Sequence, residues 1–356
     1  MLNKNKSFKF MLYILAVLAV VLMLIFPDIC KNGINKGVLI CSNVIIPSLF
    51  PFMVCVLIIM KLNITPNGKI FSAVIYKIFG QTNEMFFTMI FSMIGGYPTG
   101  CKLINELYIQ NKIDKKTAEY MQLYCVNAGP AFIISAVGSG ILKSKEIGFI
   151  LFSAHIIATF VIAISISHFT RKRIKTEKIK NNNKSNFLSI SDIFVSSTAD
   201  ASKSMLSICS FIILFSVINS YLVYFSRNNS ILKNIVYFVE ITFGITKTNN
   251  ILFISFLLGF SGISIWFQLM AISKDVKIKL KPFCFARIIH GLISSAITGF
   301  LLKTFKITVQ TIKNNVVTKI YYNNLTFSVS LAIMLVIWII SLYSEKSSSK
   351  IMDNVI

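Results

Sequence analysis

Three stretches of this chain are too long, too apolar and too free of charge to be ordinary core segments: 10-FMLYILAVLAVVLMLIF-26, 147-IGFILFSAHIIATFVIAISIS-167 and 325-LTFSVSLAIMLVIWIISLYS-344. A run of about 18 or more apolar residues crosses a hydrocarbon core about 30 Å thick. Inside that core every backbone N–H and C=O must be satisfied by the protein itself, which helices do within one segment. The expected fold class is therefore all-α, a polytopic helical membrane protein with about eight to ten hydrophobic segments. Of the 356 residues 55% are hydrophobic, which is enough for that number. The first run follows Lys4, Lys6 and Lys9 as a signal peptide would, but only 26-FPDICK-31 comes after it. With no small-residue cleavage site there, residues 1–37 read as an uncleaved first span.

The formal net charge is +23. A basic balance of this size suits nucleic acid, yet the positions of the charges argue otherwise. They gather in the connections between apolar runs, most densely at 171-RKRIKTEKIKNNNK-184. Retention of Lys and Arg on the cytoplasmic side produces that distribution, so nucleic acid is not an expected partner. The seven cysteines show no C-x-x-C pair and mostly lie in apolar runs, where they read as small buried hydrophobes. The three histidines are scattered, and no zincin motif, Walker loop, nucleophile elbow or dinucleotide fingerprint occurs. The expectation is a protein that is not an enzyme and has no cofactor or metal.

Self-similarity is more informative. The segment 78-IFGQT-82 has a counterpart in 242-TFGIT-246, and fifteen residues beyond each shared glycine stands another, Gly95 and Gly259. Further matches pair 133-IISA-136 with 293-ISSA-296 and 48-SLFP-51 with 213-ILFS-216. Four matches in order imply a duplicated unit, 38–169 and 195–305, joined by a basic linker at 170–194 and followed by 306–356 with a last span and polar tail. With the N-terminus inside, spans near 10–27 and 38–60, a segment 85–100 that enters and returns, a connection holding Lys102 and Lys112, and crossings at 125–142 and 147–169 place the linker in the cytoplasm. The second unit, starting with a span near 205–225, then runs inverted. Residues 274-KDVKIKLK-281 fit only if either 231–246 or 251–272 crosses fully.

Inverted repeats with interrupted helices build secondary transporters, whose ligand site lies near the midplane. In 94-IGGYPTGCK-102, Gly95 and Gly96 permit a tight reversal, and Pro98 breaks the ladder while fitting the first turn of a new helix beginning near Thr99 and Gly100. Free N–H groups there would face an anion, with Lys102 close by. The second interruption of this unit is 125-CVNAGPAFIISAVGSGIL-142, with Asn127 and Gly129. The other unit offers Ser261, Gln268, Arg287 and His290 as polar groups in apolar company, and Glu240 as a carboxylate inside an apolar run. Intramembrane ionisable groups face cavities or partners. Gly95, Gly96, Tyr97, Pro98, Thr99, Gly100, Lys102, Asn127, Gly129, Ser261, Gln268 and Arg287 are the expected solute-binding residues, with Glu240 and His290 as coupling or structural charges. Blander readings compete: Gly96-x-x-x-Gly100 as plain helix packing, Lys102 and Arg287 as snorkelling side chains, His290 as a hydrogen-bonded packing residue, and Glu240 paired with Arg287.

The runs 95-GGYPTGCKLINELY-108, 116-KTAEYMQLYCVNAGPAFIISAVGSGIL-142, 239-VEITFGIT-246, 258-LGFSGISIWFQ-268 and 279-KLKPFCFARIIHG-291 resemble the sporulation integral membrane protein YlbJ family, which carries the nucleoside-recognition or Gate domain. The resemblance covers about residues 40 to 305. It implies a multi-pass protein of the outer forespore membrane or cell membrane of an endospore former, moving dipicolinic acid, an aromatic dianion. Lys102, Arg287, Asn127, Thr99 and Ser261 would then meet its carboxylates, and Tyr97, Trp266 or Phe132 its ring. The implied partners are the lipid bilayer and a small anionic solute, with a homo-oligomer left open. A nucleoside or other small-solute carrier, and a non-transporting scaffold of a sporulation complex, are the competing readings.

Overall fold

The computed structural model describes residues 2–62, 69–170, 189–226, 230–273 and 275–305. The linker at 171–184 and the run at 325–344 lie outside these. Among the described residues every regular element is helical, and the fold is that of an all-α polytopic membrane protein.

Helix α1 (Leu2–Ile25) is followed directly by α2 (Pro27–Ile40), which opens with Pro27 where a missing N–H costs nothing. A single π-type turn at Cys41–Ile45 joins α2 to α3 (Ile46–Lys61), so Pro27–Lys61 is one run of 35 residues. The division expected at residue 37 falls inside this run, and Lys31, Asn32 and Lys36 ride on helix α2. Short α4 (Lys69–Phe79) leads to a turn and to α5 (Asn83–Gly95), which Thr82 caps by accepting from the Met85 N–H. After Gly96 comes α6 (Tyr97–Ile109), then α7 (Lys115–Met121), capped by Asp114.

Residues 122–130 are irregular, and Ala131–Ile141 winds as an 11-residue π-helix. It is too short to cross, so the crossing expected at 125–142 is replaced by a loop and a half-length helix. Helix α8 (Lys145–Thr170) is full length. Helix α9 (Ile190–Phe225) starts with a capping box of Ser189 and Asp192, so residue 194, the expected end of the linker, lies inside it. Next come α10 (Ser230–Val239) and α11 (Ile241–Thr246), neither long enough to span. Helices α12 (Ile251–Phe260) and α13 (Ile263–Ile272) together form a 22-residue run long and apolar enough to cross, whereas neither α10 nor α11 is. Helix α14 (Leu280–Thr304) completes the set. Among the described residues five helical runs are long and apolar enough to cross: Pro27–Lys61, Lys145–Ser167, Ile190–Phe225, Ile251–Ile272 and Leu280–Thr304.

The element order α3, α4, α5, break, α6 is echoed by α9, α10, α11, α12, break, α13. The two breaks differ in shape. Helix α5 folds back along α6, with Ser92 against Gly100, as a hairpin. Helix α12 instead lies along α14, where Ser255 exchanges hydroxyl bonds with Ser294 at 2.9 Å and Thr298 at 2.8 Å, while α13 packs against α6 and α9. Small hydroxyl residues let these helices approach closely. The match of 133–136 to 293–296 pairs the π-helix with the middle of α14, so it joins unlike elements.

Candidate functional site

Each break is made by residues with left-handed backbone. Gly96 has φ +84°, and its carbonyl already accepts from the Thr99 N–H, so α6 begins at Tyr97, two residues earlier than expected. At the other break Ser261 has φ +71° and Gly262 +76°. Ser261 is the unusual member, since a side chain in that region costs about 1–2 kcal/mol. Its buried hydroxyl is enlisted locally, donating to its own Phe260 carbonyl and accepting from Trp266 Nε1 at 3.1 Å.

The two breaks touch. Tyr97 Oη donates to the Leu258 carbonyl at 2.7 Å. Gly96 lies against Gly129 of the 122–130 loop, whose own Cα faces the Ile94 carbonyl. Gly100 has no room for a methyl group, because a Cβ there would lie 1.7 Å from the Cys125 carbonyl oxygen. Where they meet is a narrow cavity of about 60 Å³, lined by Gly95, Gly96, Tyr97, Pro98, Gly129, Phe132, Glu240, Ser264 and Gln268 among others. That volume holds about two waters. Tyr97 and Phe132 meet there edge to face at 6.5 Å. Gln268 is buried, and its Nε2 has no partner among the described residues. Glu240 is also buried and caps α11, accepting from the Thr242 N–H at 3.0 Å and the Phe243 N–H at 2.6 Å.

The remaining expected residues divide differently. Lys102 sits on the returning arm of the hairpin, not in a connection, and faces a second cavity of about 700 Å³ between α3, α5, α6, α9 and the end of α13. Its Nζ donates to the Ser204 hydroxyl and lies 3.5 Å from the Asp200 carbonyl oxygen. Beside it Lys61 and Asp200 form an ion pair at 2.8 Å. A pocket of this size suits a small organic ligand. Lys61, Asp200 and Ser204 were not among the expected site residues; Lys61 ends the apolar helix α3, and Asp200 and Ser204 lie in the polar first half of α9, where their charge and hydroxyl do not stand out.

Arg287 lines neither cavity. It is wholly buried, neither snorkelling nor paired with Glu240: its guanidinium donates to the carbonyls of Leu123 and Val126 and stands over the Phe283 ring, its Cζ 5.6 Å from the centroid. The expected Glu240–Arg287 pair fails because Arg287 is spent on carbonyls freed by the irregular loop, and Glu240 on amide groups at α11. Asn127 likewise turns inward, donating to Ser92 Oγ at 3.0 Å and the Tyr124 carbonyl at 2.8 Å and accepting from Thr159 Oγ1 at 2.7 Å. His155 accepts from the Ala128 N–H at 3.1 Å, and its ring lies 4.4 Å from that of His290. His290 thus belongs to the same buried network, its Nε2 lying 3.2 Å from the His155 carbonyl oxygen. Thr99 donates back to the Gly95 carbonyl at 2.9 Å, and Trp266 to the Phe260 carbonyl at 3.0 Å, so neither faces a cavity.

These features define a helical, multi-pass membrane protein whose interrupted helices meet between a narrow and a wide cavity. The chain is 24% identical over 322 residues, 78% of its own length and 78% of the relative's, to the sporulation integral membrane protein YlbJ of Bacillus subtilis (strain 168). That similarity supports membership of the YlbJ family. No family model and no solved structure matches the chain.

Proposed function

We propose that the protein is a secondary transporter or facilitator of a small anionic aromatic solute, dipicolinate, acting in a membrane of the sporulating cell. The observation that carries the reading is the junction of the two helix breaks, tied by Tyr97 to Leu258 and enclosing the narrow cavity. Irregular backbone at membrane depth is tolerated where it lies against protein or a polar path, and transporters place their substrate sites at such junctions. The wide cavity is the seat for the solute, because it has the room and the cationic Lys102. The narrow one is the constriction, which must widen for passage. Arg287 has no part in binding in this reading, since it lines neither cavity and is wholly buried against the carbonyls of Leu123 and Val126.

One observation favours a second reading. The constriction is lined by a carboxylate, Glu240, and an amide with an unpartnered Nε2, Gln268. Those groups suit a neutral hydrogen-bonding solute such as a nucleoside better than a dianion. Uptake of labelled dipicolinate into vesicles holding the purified full-length protein, with dipicolinate and uridine as unlabelled competitors, separates the two. Saturable uptake blocked by dipicolinate alone supports the first reading, and block by uridine alone the second. Absence of uptake and of any solute-induced thermal shift leaves the scaffold reading.

A further inference from the structure

The two halves of the interrupted run Ile251–Ile272 are held to very different degrees. Seven of the ten residues of α12 are buried, and its Ser255 is bonded to Ser294 and Thr298 of α14. In α13 only Ser264, Gln268 and Leu269 are buried, and Phe267 is 53% exposed. Yet α13 is the wall between the cavities: Ser264, Ile265 and Gln268 line the narrow one, and Ala271 and Ile272 the wide one. Its near end leaves α12 through Ser261 and Gly262, both left-handed, so strain is concentrated there. Its position also buries Gln268 Nε2, which has no partner among the described residues, at a cost in stability. The far end is held by one amide. Asn105 of α6 donates through Nδ2 to the Ile272 carbonyl at 3.0 Å, one of the helix-end carbonyls that α13 cannot satisfy itself. Beyond it the chain is firmly docked: Gln122 Nε2 donates to the Val276 carbonyl at 2.7 Å, Val276 is wholly buried in one cluster with Ala118 and Met121, and Lys279 pairs with Glu119 of α7 at 2.7 Å. Asn105 itself stands on the wall of the wide cavity, within reach of whatever occupies it.

We propose that α13 is a gating arm, hinged at Ser261–Gly262 and latched by Asn105, whose release joins the narrow cavity to the wide one while α12 and Val276 stay in place. A ten-residue helix is about 15 Å long, so a tilt of about 10° at the hinge carries its far end about 2.5 Å, enough to break the Asn105 bond. The same tilt draws Gln268 and Ser264 away from the narrow cavity and widens it. The inference rests on the transport reading for what passes the gate, but the motion is measurable without a solute.

The test is hydrogen–deuterium exchange of the detergent-purified full chain, read by mass spectrometry over 251–260, 263–272 and 280–304. In the wild type α13 should exchange faster than α12. Asn105→Leu, which keeps the volume and removes the donor, should speed exchange in α13 about two- to tenfold, the population change that one lost hydrogen bond brings. Exchange in α12 and α14 should not change. Thr198→Val, which removes a side-chain bond on α9, should alter none of the three. Equal acceleration in all three segments, meaning general loosening, overturns the proposal, as does no acceleration in α13. If Asn105→Leu does not fold, Ser273→Cys puts a second thiol beside Cys101 of α6. Diamide, which takes up the two thiol hydrogens as the disulfide forms, should then lock the arm and slow exchange in α13, and dithiothreitol should restore it. A disulfide that fails to form, or that leaves exchange unchanged, overturns the idea. Acceleration confined to α13 without vesicle uptake would sink the transport reading alone; uptake undiminished in the cross-linked protein would sink only this one.

Discussion

The hydroxyl of Tyr97, at the start of α6, donates at 2.7 Å to the carbonyl of Leu258, in the last turn of α12. The last four carbonyls of a helix have no partner within it, and the turn at Ser261–Gly262 removes the amide that would have served Leu258. Tyr97 supplies the missing donor from the other break. Tyr97→Phe should therefore cost about 1–3 kcal/mol, the penalty of one buried acceptor left without its donor. Thermal unfolding in detergent checks this, with Tyr13→Phe as the exposed control; equal melting temperatures for the two variants would contradict it.

The breaks also predict which small residues are irreplaceable. Gly100→Ala puts a methyl group into the Cys125 carbonyl, and backbone cannot step aside as a flexible side chain can. The hairpin and the 122–130 loop must separate, so about 3 kcal/mol or more is lost, at the upper end of overpacking penalties. Ser261→Gly is the converse case. It relieves left-handed strain of about 1–2 kcal/mol but removes the hydroxyl that accepts from Trp266, and the two should nearly cancel. Melting curves showing the alanine variant mild and the glycine variant severe would refute this account of the junctions.

These contrasts show what could be read from the chain. The break at Gly96 was legible because glycines and a proline inside an apolar run admit few other meanings, and left-handed φ at Gly262 follows from the same rule. Helix starts at Thr82, Asp114 and Ser189 are likewise written locally, in residues that cap amides three positions on. Partner choice was not legible. Arg287 and Glu240 are both costly intramembrane charges, which makes pairing the economical expectation, yet each is satisfied by backbone groups exposed when a neighbouring segment unwinds. Nothing in the sequence states which carbonyls the 122–130 loop leaves open. The Lys61–Asp200 pair joins residues 139 apart and needed the fold before it could be seen.

Arg287 and Lys102 should therefore separate cleanly in experiment. Arg287→Gln strands the carbonyls of Leu123 and Val126, offset in part by relief of burying a charge, for a net loss of about 2–4 kcal/mol. Lys102→Gln removes a part-buried ammonium from a cavity wall and should change stability by about 1 kcal/mol or less. Dipicolinate affinity, measured on whatever folded fraction remains, should follow Lys102 and not Arg287. A stable Arg287→Gln protein that has lost only ligand binding would reverse the assignment.

Glu240 allows a last separation, between support and transport. Its two carboxylate oxygens accept from consecutive amides at the start of α11 while the same side chain borders the constriction. An anion at a helix N-terminus contributes about 0.3–2 kcal/mol, and asparagine is an equally good cap in geometry but carries no charge. Asparagine is also one methylene shorter, so Glu240→Gln, which keeps the length, and Glu240→Asp, which keeps the charge, complete the set. If Glu240 acts only as a cap, the three variants lose stability within that range and keep vesicle uptake in proportion to folded protein. If its charge governs passage through the constriction, uptake per folded molecule changes severalfold in Glu240→Gln and Glu240→Asn but not in Glu240→Asp. The second outcome is expected, because only Glu240 among the described lining residues of the narrow cavity carries a formal charge, while an amide side chain still leaves one oxygen acceptor for the amides of Thr242 and Phe243.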